Sequence, residues 1–134
     1  MQTIQLKYGT ESWELQLDDA RLLTIETGQV PDSQMLIRQA LANPIDTRPL
    51  HKICRAGERV VIVTSDITRY TGSELYLPIL VEELNQIGID DQNIEIVIAL
   101  GIHRCQTEEE HRKILGSLYG RIAVYDHDCD DPEQ

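Results

Sequence analysis

Val60-Val61-Ile62-Val63-Thr64-Ser65-Asp66-Ile67-Thr68-Arg69 is the stretch that decides the fold. Its first five residues are a β-branched run of strand composition, and the next five are mostly polar and end on a cation. The same arrangement recurs at Ile94-Glu95-Ile96-Val97-Ile98-Ala99-Leu100, which leads into Gly101-Ile102-His103-Arg104. Between the two lies one helix-like segment. Thr71-Gly72-Ser73-Glu74 has capping-box spacing and predicts a helix start near Thr71. Leu75, Ile79, Val81, Leu84 and Ile87 form its apolar face, and Gly88 is its stop. Strand, helix, strand is a βαβ unit. Its two strands run parallel, so both polar loops emerge at the carboxyl edge, where open α/β sheets bind ligands.

Downstream, Thr107-Glu108-Glu109-Glu110 is a second capping box. It predicts a helix to about Leu118 with Ile114, Leu115 and Leu118 on its apolar side. Arg121-Ile122-Ala123-Val124-Tyr125 predicts a third parallel strand. The second strand has few polar residues, as expected if both sheet faces are covered. Upstream, Ile4 to Lys7 and Trp13 to Leu17 flank Gly9-Thr10-Glu11 and read as a β-hairpin. Arg21 to Glu26 is a further strand candidate. Asp32 or Ser33 caps a helix through about Ala42, with Met35, Leu36, Ala40 and Leu41 on one side, stopped by Asn43-Pro44. Pro49 to Arg55 reads as a short helix. The expected organisation is therefore a hairpin and strand region over 1–30, a helical region over 31–58, a Rossmann-like βαβαβ core over 59–125 and an acidic tail over 126–134. A third strand with no helix after it leaves a parallel sheet poorly covered, which is the expectation for the front of a longer protein.

The chain has 134 residues and a formal net charge of −11. That balance disfavours general nucleic-acid binding, which relies on Lys and Arg neutralising phosphates, and it disfavours an anionic membrane surface. An anionic ligand must then bind through local cations such as Arg69 or Arg104. Cys54, Cys105 and Cys129 have no disulfide-framework spacing and read as reduced thiols. No signal peptide and no membrane-length apolar run is visible, so a cytoplasmic protein is expected.

Arg69 follows a strand and precedes a helix, where a guanidinium can hold a carboxylate or phosphate in two bonds. Asp66 can orient Arg69 or accept from a ligand hydroxyl; equally, the two can be an ion pair that ties down the loop. Ser65, Thr68 and Thr71 add hydroxyls near a helix start whose N–H groups suit anions. His103 can act as general acid or base near neutral pH, or serve as a loop histidine. Arg104 can assist an anion or point into solvent. His51 and His111 read as solvated. A competing reading takes His103, Cys105, His127 and Cys129 as a zinc set, although their spacing matches no common zinc motif.

Together these motifs resemble the nickel-pincer-nucleotide-dependent lactate racemases and their 2-hydroxyacid racemase and epimerase relatives. The resemblance rests on Ser65-Asp66-Ile67-Thr68-Arg69, on Pro78-Ile79-Leu80 followed by Glu83-Leu84, and on Gly101-Ile102-His103-Arg104 followed by Thr107, Glu109 and Glu110. Asn43-Pro44-Ile45 also fits, and the match runs from about Pro31 to Tyr125. It implies an α/β N-terminal domain, a second domain and an active site between them. There, a nickel-bearing pyridinium nucleotide tethered to a lysine exchanges a hydride with the 2-carbon of a hydroxy acid. By motif position His103 matches one of two histidines that act as base and acid on the substrate hydroxyl. Arg69 matches the arginine on the substrate carboxylate, and Asp66 an orienting aspartate. Ser65, Thr68 and Thr71 are the candidate cofactor contacts, and no residue of this chain is assigned to metal. Ile67, Tyr70 and Cys105 depart from the residues common in relatives (His, Pro and Pro) and alter the pocket wall. The family's second catalytic histidine, tethering lysine and nickel-ligand histidine lie further along than Gln134. This chain alone is therefore expected neither to retain the cofactor nor to racemise.

Two functions follow as expectations. In the first, the chain is part of an isomerase, partnered by a small 2-hydroxy acid and by the rest of the enzyme. In the second, it is a stand-alone small-anion-binding module that self-associates to cover its sheet, with zinc binding as a variant.

Overall fold

The structure is a computed structural model and describes residues 2–19, 21, 23, 28 and 31–131. The chain divides into two compact units, Met1–Val30 and Pro31–Gln134. Among the described residues no helix is long and apolar enough to cross a membrane.

The first unit is an antiparallel hairpin of β1 (Gln2–Tyr8) and β2 (Glu11–Leu17). A two-residue connection at Gly9 and Thr10 sets its register, with Ile4 opposite Leu15 and Leu6 opposite Trp13. Gly9 has φ of +60°, a conformation that glycine reaches without steric cost. The rings of Tyr8 and Trp13 lie 5.5 Å apart and add a tilted aromatic contact. The strand expected over Arg21 to Glu26 lies outside the described residues, apart from Arg21 and Leu23.

The second unit begins with α1 (Ser33–Ala42). Asp32 caps it by accepting from the Gln34 N–H at 2.9 Å, and Asn43 closes it on the Gln39 carbonyl. Met35 and Leu36, expected on its apolar side, are exposed. The short α2 (Leu50–Ile53) leads to a parallel sheet of β3 (Val60–Ser65), β4 (Ile94–Ala99) and β5 (Ala123–Asp126) in the order 3-4-5. Ile62, Ile96 and Val124 align across it. Two helices, α3 (Ser73–Ile87) and α4 (Glu108–Leu115), connect the strands. Ile62, Ile94, Ile96 and Ile98 of the sheet join Leu77, Val81 and Leu84 of α3 and Ile114 and Leu115 of α4 in one core, closed by Leu118 of a 3₁₀ turn.

The two expected capping boxes have opposite outcomes. At α4 the capping box forms in full: Thr107 accepts from Glu110 N–H and Glu110 accepts from Thr107 N–H. At α3 it does not form. The helix begins at Ser73, and Gly72, with φ of +78°, takes the cap position without a side-chain bond. Thr71 instead lies 3.5 Å from the Tyr76 hydroxyl. The buried face keeps Ile79, Val81 and Leu84 as expected, but Leu77 is fully buried and Leu75 is exposed. Gly88 ends α3 in the left-handed region at φ +96°, and a Cβ there would lie 2.8 Å from Ala56 Cβ.

Among the described residues the sheet is not covered on both faces. Strand alternation sends Ile62, Ile96 and Ile98 under the helices and leaves Val61, Val63 and Tyr125 exposed, Val63 at 67%. The expectation of two covered faces is corrected accordingly. The strands have the composition of a doubly covered sheet, while α3 and α4 form a layer on one side.

Candidate functional site

The loops after β3 and β4 meet at the carboxyl edge of the sheet. After β3 the chain turns through a 3₁₀ segment, Ile67–Arg69, capped by Asp66. Asp66 is 1% exposed and each of its oxygens is occupied. Oδ1 accepts from Thr68 Oγ1 at 2.8 Å and from the Arg69 N–H at 3.2 Å. Oδ2 pairs with His103 Nδ1. Burial by itself raises this carboxyl. The bonds from His103 and Thr68, the His103 charge and the Arg69 N–H outweigh it, so the group is held below its ordinary value. Asp66 is therefore a carboxylate at neutral pH, aimed at an imidazole.

Gly101, at φ +59°, turns the chain out of β4, and the His103 N–H bonds back to the Leu100 carbonyl at 3.1 Å. The imidazole is 38% exposed. Its Nδ1 is taken by Asp66 and also lies 3.2 Å from Thr68 Oγ1. An Nδ1–H donated to Asp66 leaves Nε2 as the ring's accepting atom. Beside it, the Arg69 guanidinium is exposed and has no carboxylate partner among the described residues. Asp66, Arg69, Gly101, Ile102 and His103 line a depression of about 80 Å³. An ionised carboxylate, an oriented imidazole and a free guanidinium thus share one small concavity, an arrangement suited to holding a small carboxylate while moving a proton.

Several expected roles are redirected. Asp66 does not form the loop-tying ion pair with the Arg69 side chain, because it engages that residue through its backbone N–H. The Ser65 hydroxyl donates to the Arg69 carbonyl at 2.9 Å, so Ser65, like Thr68 and Thr71, has a local partner. Arg104 is neither in the concavity nor free in solvent. It grips both oxygens of Glu110 at 2.8 Å and donates to the Cys105 carbonyl. That pairing and the Thr107 N–H bring the Glu110 carboxyl down to about 2. Tyr70 turns toward α3 and α4: the Glu74 carboxylate raises its ionisation, and Lys113 stands 4.8 Å from its ring centre. His51 is exposed on α2, as expected. His111 is not solvated, since its Nε2 is 2.8 Å from Asp126 Oδ1.

The four zinc candidates do not come together. Among the described residues the one group with metal-ligand spacing is Asp128, Cys129 and Asp130, all exposed. Two larger depressions, of about 450 and 570 Å³, flank Arg121 on the outer side of α3. Two of the ion pairs lie in their lining, Arg38 with Glu82 and Arg121 with Asp91.

Residue reading missed Gln106 and Asp126. Gln106 Oε1 accepts from the Ile67 N–H at 3.1 Å, and its backbone N–H donates to Asp126 Oδ2 at 2.6 Å. The available signal was position: Asp126 ends β5 at the same edge where Asp66 follows β3.

A parallel α/β unit with a His–carboxylate pair and an arginine at its carboxyl edge has the layout in which open α/β sheets bind ligands. The comparisons give it a family. The lactate racemase N-terminal domain family model matches residues 8–134, and the chain belongs to that family. Lactate racemase of Thermoanaerobacterium thermosaccharolyticum is 30% identical over 122 residues, which are 87% of this chain and 28% of that protein. Lactate racemase of Lactiplantibacillus plantarum is 31% identical over 130 residues, 92% of this chain and 30% of that protein. The solved lactate racemase apoprotein from T. thermosaccharolyticum superposes with a TM-score of 0.78 over 98% of this chain and 31% of its own. The chain thus spans a little under a third of the length of these relatives.

Proposed function

We propose that this chain supplies the carboxylate-binding arginine and one acid/base histidine of an isomerase that racemises or epimerises a small 2-hydroxy acid. The observation that carries the proposal is the pairing of His103 with the buried Asp66, beside an Arg69 left without a carboxylate partner. Arg69 clamps the substrate carboxylate, which fixes the 2-carbon and its hydroxyl relative to the imidazole. His103 Nε2 takes and returns the hydroxyl proton. Asp66 holds the ring in the tautomer that leaves Nε2 accepting, and it stabilises the imidazolium once the proton has moved. The relatives' name supplies lactate as the first substrate to test. Ile67 and Cys105, which stand where His and Pro are common in the family, flank the residues of the concavity without lining it, and other 2-hydroxy acids are candidates of the same chemistry.

The nickel-pincer nucleotide implied by the resemblance does not fit this chain's own cleft. The depression beside His103, at about 80 Å³, is smaller than a nucleotide needs, and no lysine is among the residues that line it. No step assigned to this chain passes through the cofactor. We read the cofactor site as belonging to the remainder of a longer cytoplasmic polypeptide, and this chain alone as inactive.

The test is racemisation of enantiopure lactate by the polypeptide as isolated from its native cells. Arg69→Gln is expected to raise KM strongly, and His103→Gln to lower kcat by about 10²–10⁴-fold. Full activity in His103→Gln overturns the proposal. The uncovered sheet face favours a second reading, in which the chain on its own self-associates through Val61, Val63 and Tyr125. Sedimentation of the isolated chain that shows a dimer, dispersed by Val63→Lys, supports this reading; a monomer at all concentrations rejects it.

A further inference from the structure

Resting on the proton-transfer role of His103, we propose that Gln106 is the positioning residue of the site, a non-titrating clasp that sets the spacing of the two loops. Ile67 lies between Asp66 and Thr68, the two residues that contact His103 Nδ1. Its N–H is held by Gln106 Oε1 at 3.1 Å. Gln106 is itself 9% exposed and stands in the loop after β4, three residues beyond His103. From the other side its backbone N–H is held by Asp126 Oδ2, and Asp126 Oδ1 is held by His111 of α4. One side chain thus ties the end of β3 to the loop after β4, and one backbone group ties that loop to the end of β5.

The chemistry explains why an amide does this. Among the described residues, the other side-chain hydrogen bonds between the two loops are those of His103 itself, to Asp66 and Thr68. A histidine that accepts and returns a proton changes the charge across these bonds in every cycle. A spacing set by them alone would shift as the ring changes state. The Gln106 amide accepts from a backbone N–H at any pH, so the Ile67 anchor is the same before and after proton transfer. Because Ile67 is held, Asp66 stays within reach of the imidazole in both states, and Nε2 keeps its aim. Asp126 and His111 act behind this clasp as its anchor and do not reach the concavity.

The test uses the polypeptide as isolated, with Gln106→Met, which removes the acceptor at similar volume, and Gln106→Glu, which restores an acceptor oxygen. Two readouts are taken: kcat and KM for lactate, and the ring ¹⁵N shifts of His103 at mildly alkaline pH, which report the tautomer. Gln106→Met is expected to lower kcat by about 10–100-fold, to change KM less than about threefold, and to shift His103 toward a mixture of tautomers. Gln106→Glu is expected to recover most of the kcat and the Nδ1–H tautomer. The clasp is overturned if Gln106→Met leaves kcat and the tautomer as they were, or if Gln106→Glu fails to recover either. Should Gln106→Met fail to fold, Asp126→Asn is read in its place. A smaller loss of kcat in the same direction supports the clasp, and an unchanged His103 tautomer rejects it. Asp66→Asn separates this proposal from the one beneath it. If Asp66→Asn abolishes the Nδ1–H tautomer while Gln106→Met does nothing, only the clasp fails. If neither variant moves it, the His103–Asp66 reading fails as well.

Discussion

Two histidine–carboxylate pairs stand at the same edge of this sheet, and they differ in the nitrogen they use and in what surrounds them. His111 sits on a helix, spends Nε2 on Asp126, and meets a carboxylate whose second oxygen is taken by the Gln106 N–H. Neither residue lines the concavity beside His103. His103 sits on a loop, spends Nδ1 on Asp66, and lines a concavity together with Arg69, which has no carboxylate partner among the described residues. The carboxylate is the more buried partner in both pairs, at 1% for Asp66 and 11% for Asp126. What distinguishes them is which ring nitrogen is consumed and what stands beside the other. A histidine–aspartate contact is therefore not a site by itself; the proposed function needs an open nitrogen next to an uncommitted cation.

The sharpest way to break this comparison is to exchange the histidines for glutamine. His103→Gln is expected to remove about 10²–10⁴-fold of the racemisation rate with little loss of melting temperature. His111→Gln is expected to do the reverse, with a modest rate loss and a destabilisation of about 0.5–1.5 kcal/mol by thermal melts. Equal rate losses in both variants would erase the distinction.

The carboxylates give a second, smaller contrast. Asp66→Asn replaces an acceptor-only group that receives bonds from Thr68, Arg69 and His103, and it leaves amide hydrogens facing donors. A destabilisation of about 1.5–3 kcal/mol is expected by urea unfolding, together with loss of turnover. Asp126→Asn can keep one acceptor oxygen for two donors, and the smaller stability loss is expected there.

The smallest effect is the pH dependence. Asp66 and Glu110 both have folded values below their ordinary ones, Glu110 at about 2 against 4.5. The unfolded chain then binds protons that the folded chain refuses. Their stabilisation is complete above the unfolded values and is lost as pH falls through the folded ones. The urea midpoint is expected to decline from about pH 4.5 toward pH 2, and Glu110→Gln to flatten part of that decline while leaving neutral-pH activity unchanged. An Arg104→Ala variant that loses turnover would return Arg104 to the site, against its observed grip on Glu110.

Much of the core was legible because its signals are local. Val60 to Thr64 and Ile94 to Leu100 predict the strands by composition, and Gly88 and the Thr107–Glu110 box mark helix ends by short-range chemistry. The α3 start was misplaced because Gly72 in the left-handed region competes with a threonine cap of the right spacing, and spacing alone does not rank them. Arg69 and His103 were legible as candidates from their positions after strands. The partner of Asp66 was not. Arg69 is three residues away and His103 thirty-seven, yet the buried carboxylate reaches the distant ring.

The sequence by itself determined that this is a parallel α/β unit with polar loops at one edge, since period, β-branching and caps act over a few residues. Only the tertiary structure decided which of those polar groups are spent on one another. Pairing Asp66 with His103, Arg104 with Glu110 and Asp126 with both His111 and Gln106 depends on strand order and register, which bring together residues far apart in the chain. Among the described residues Arg69 is left without a carboxylate partner, and it is its place beside His103 in the concavity that marks it.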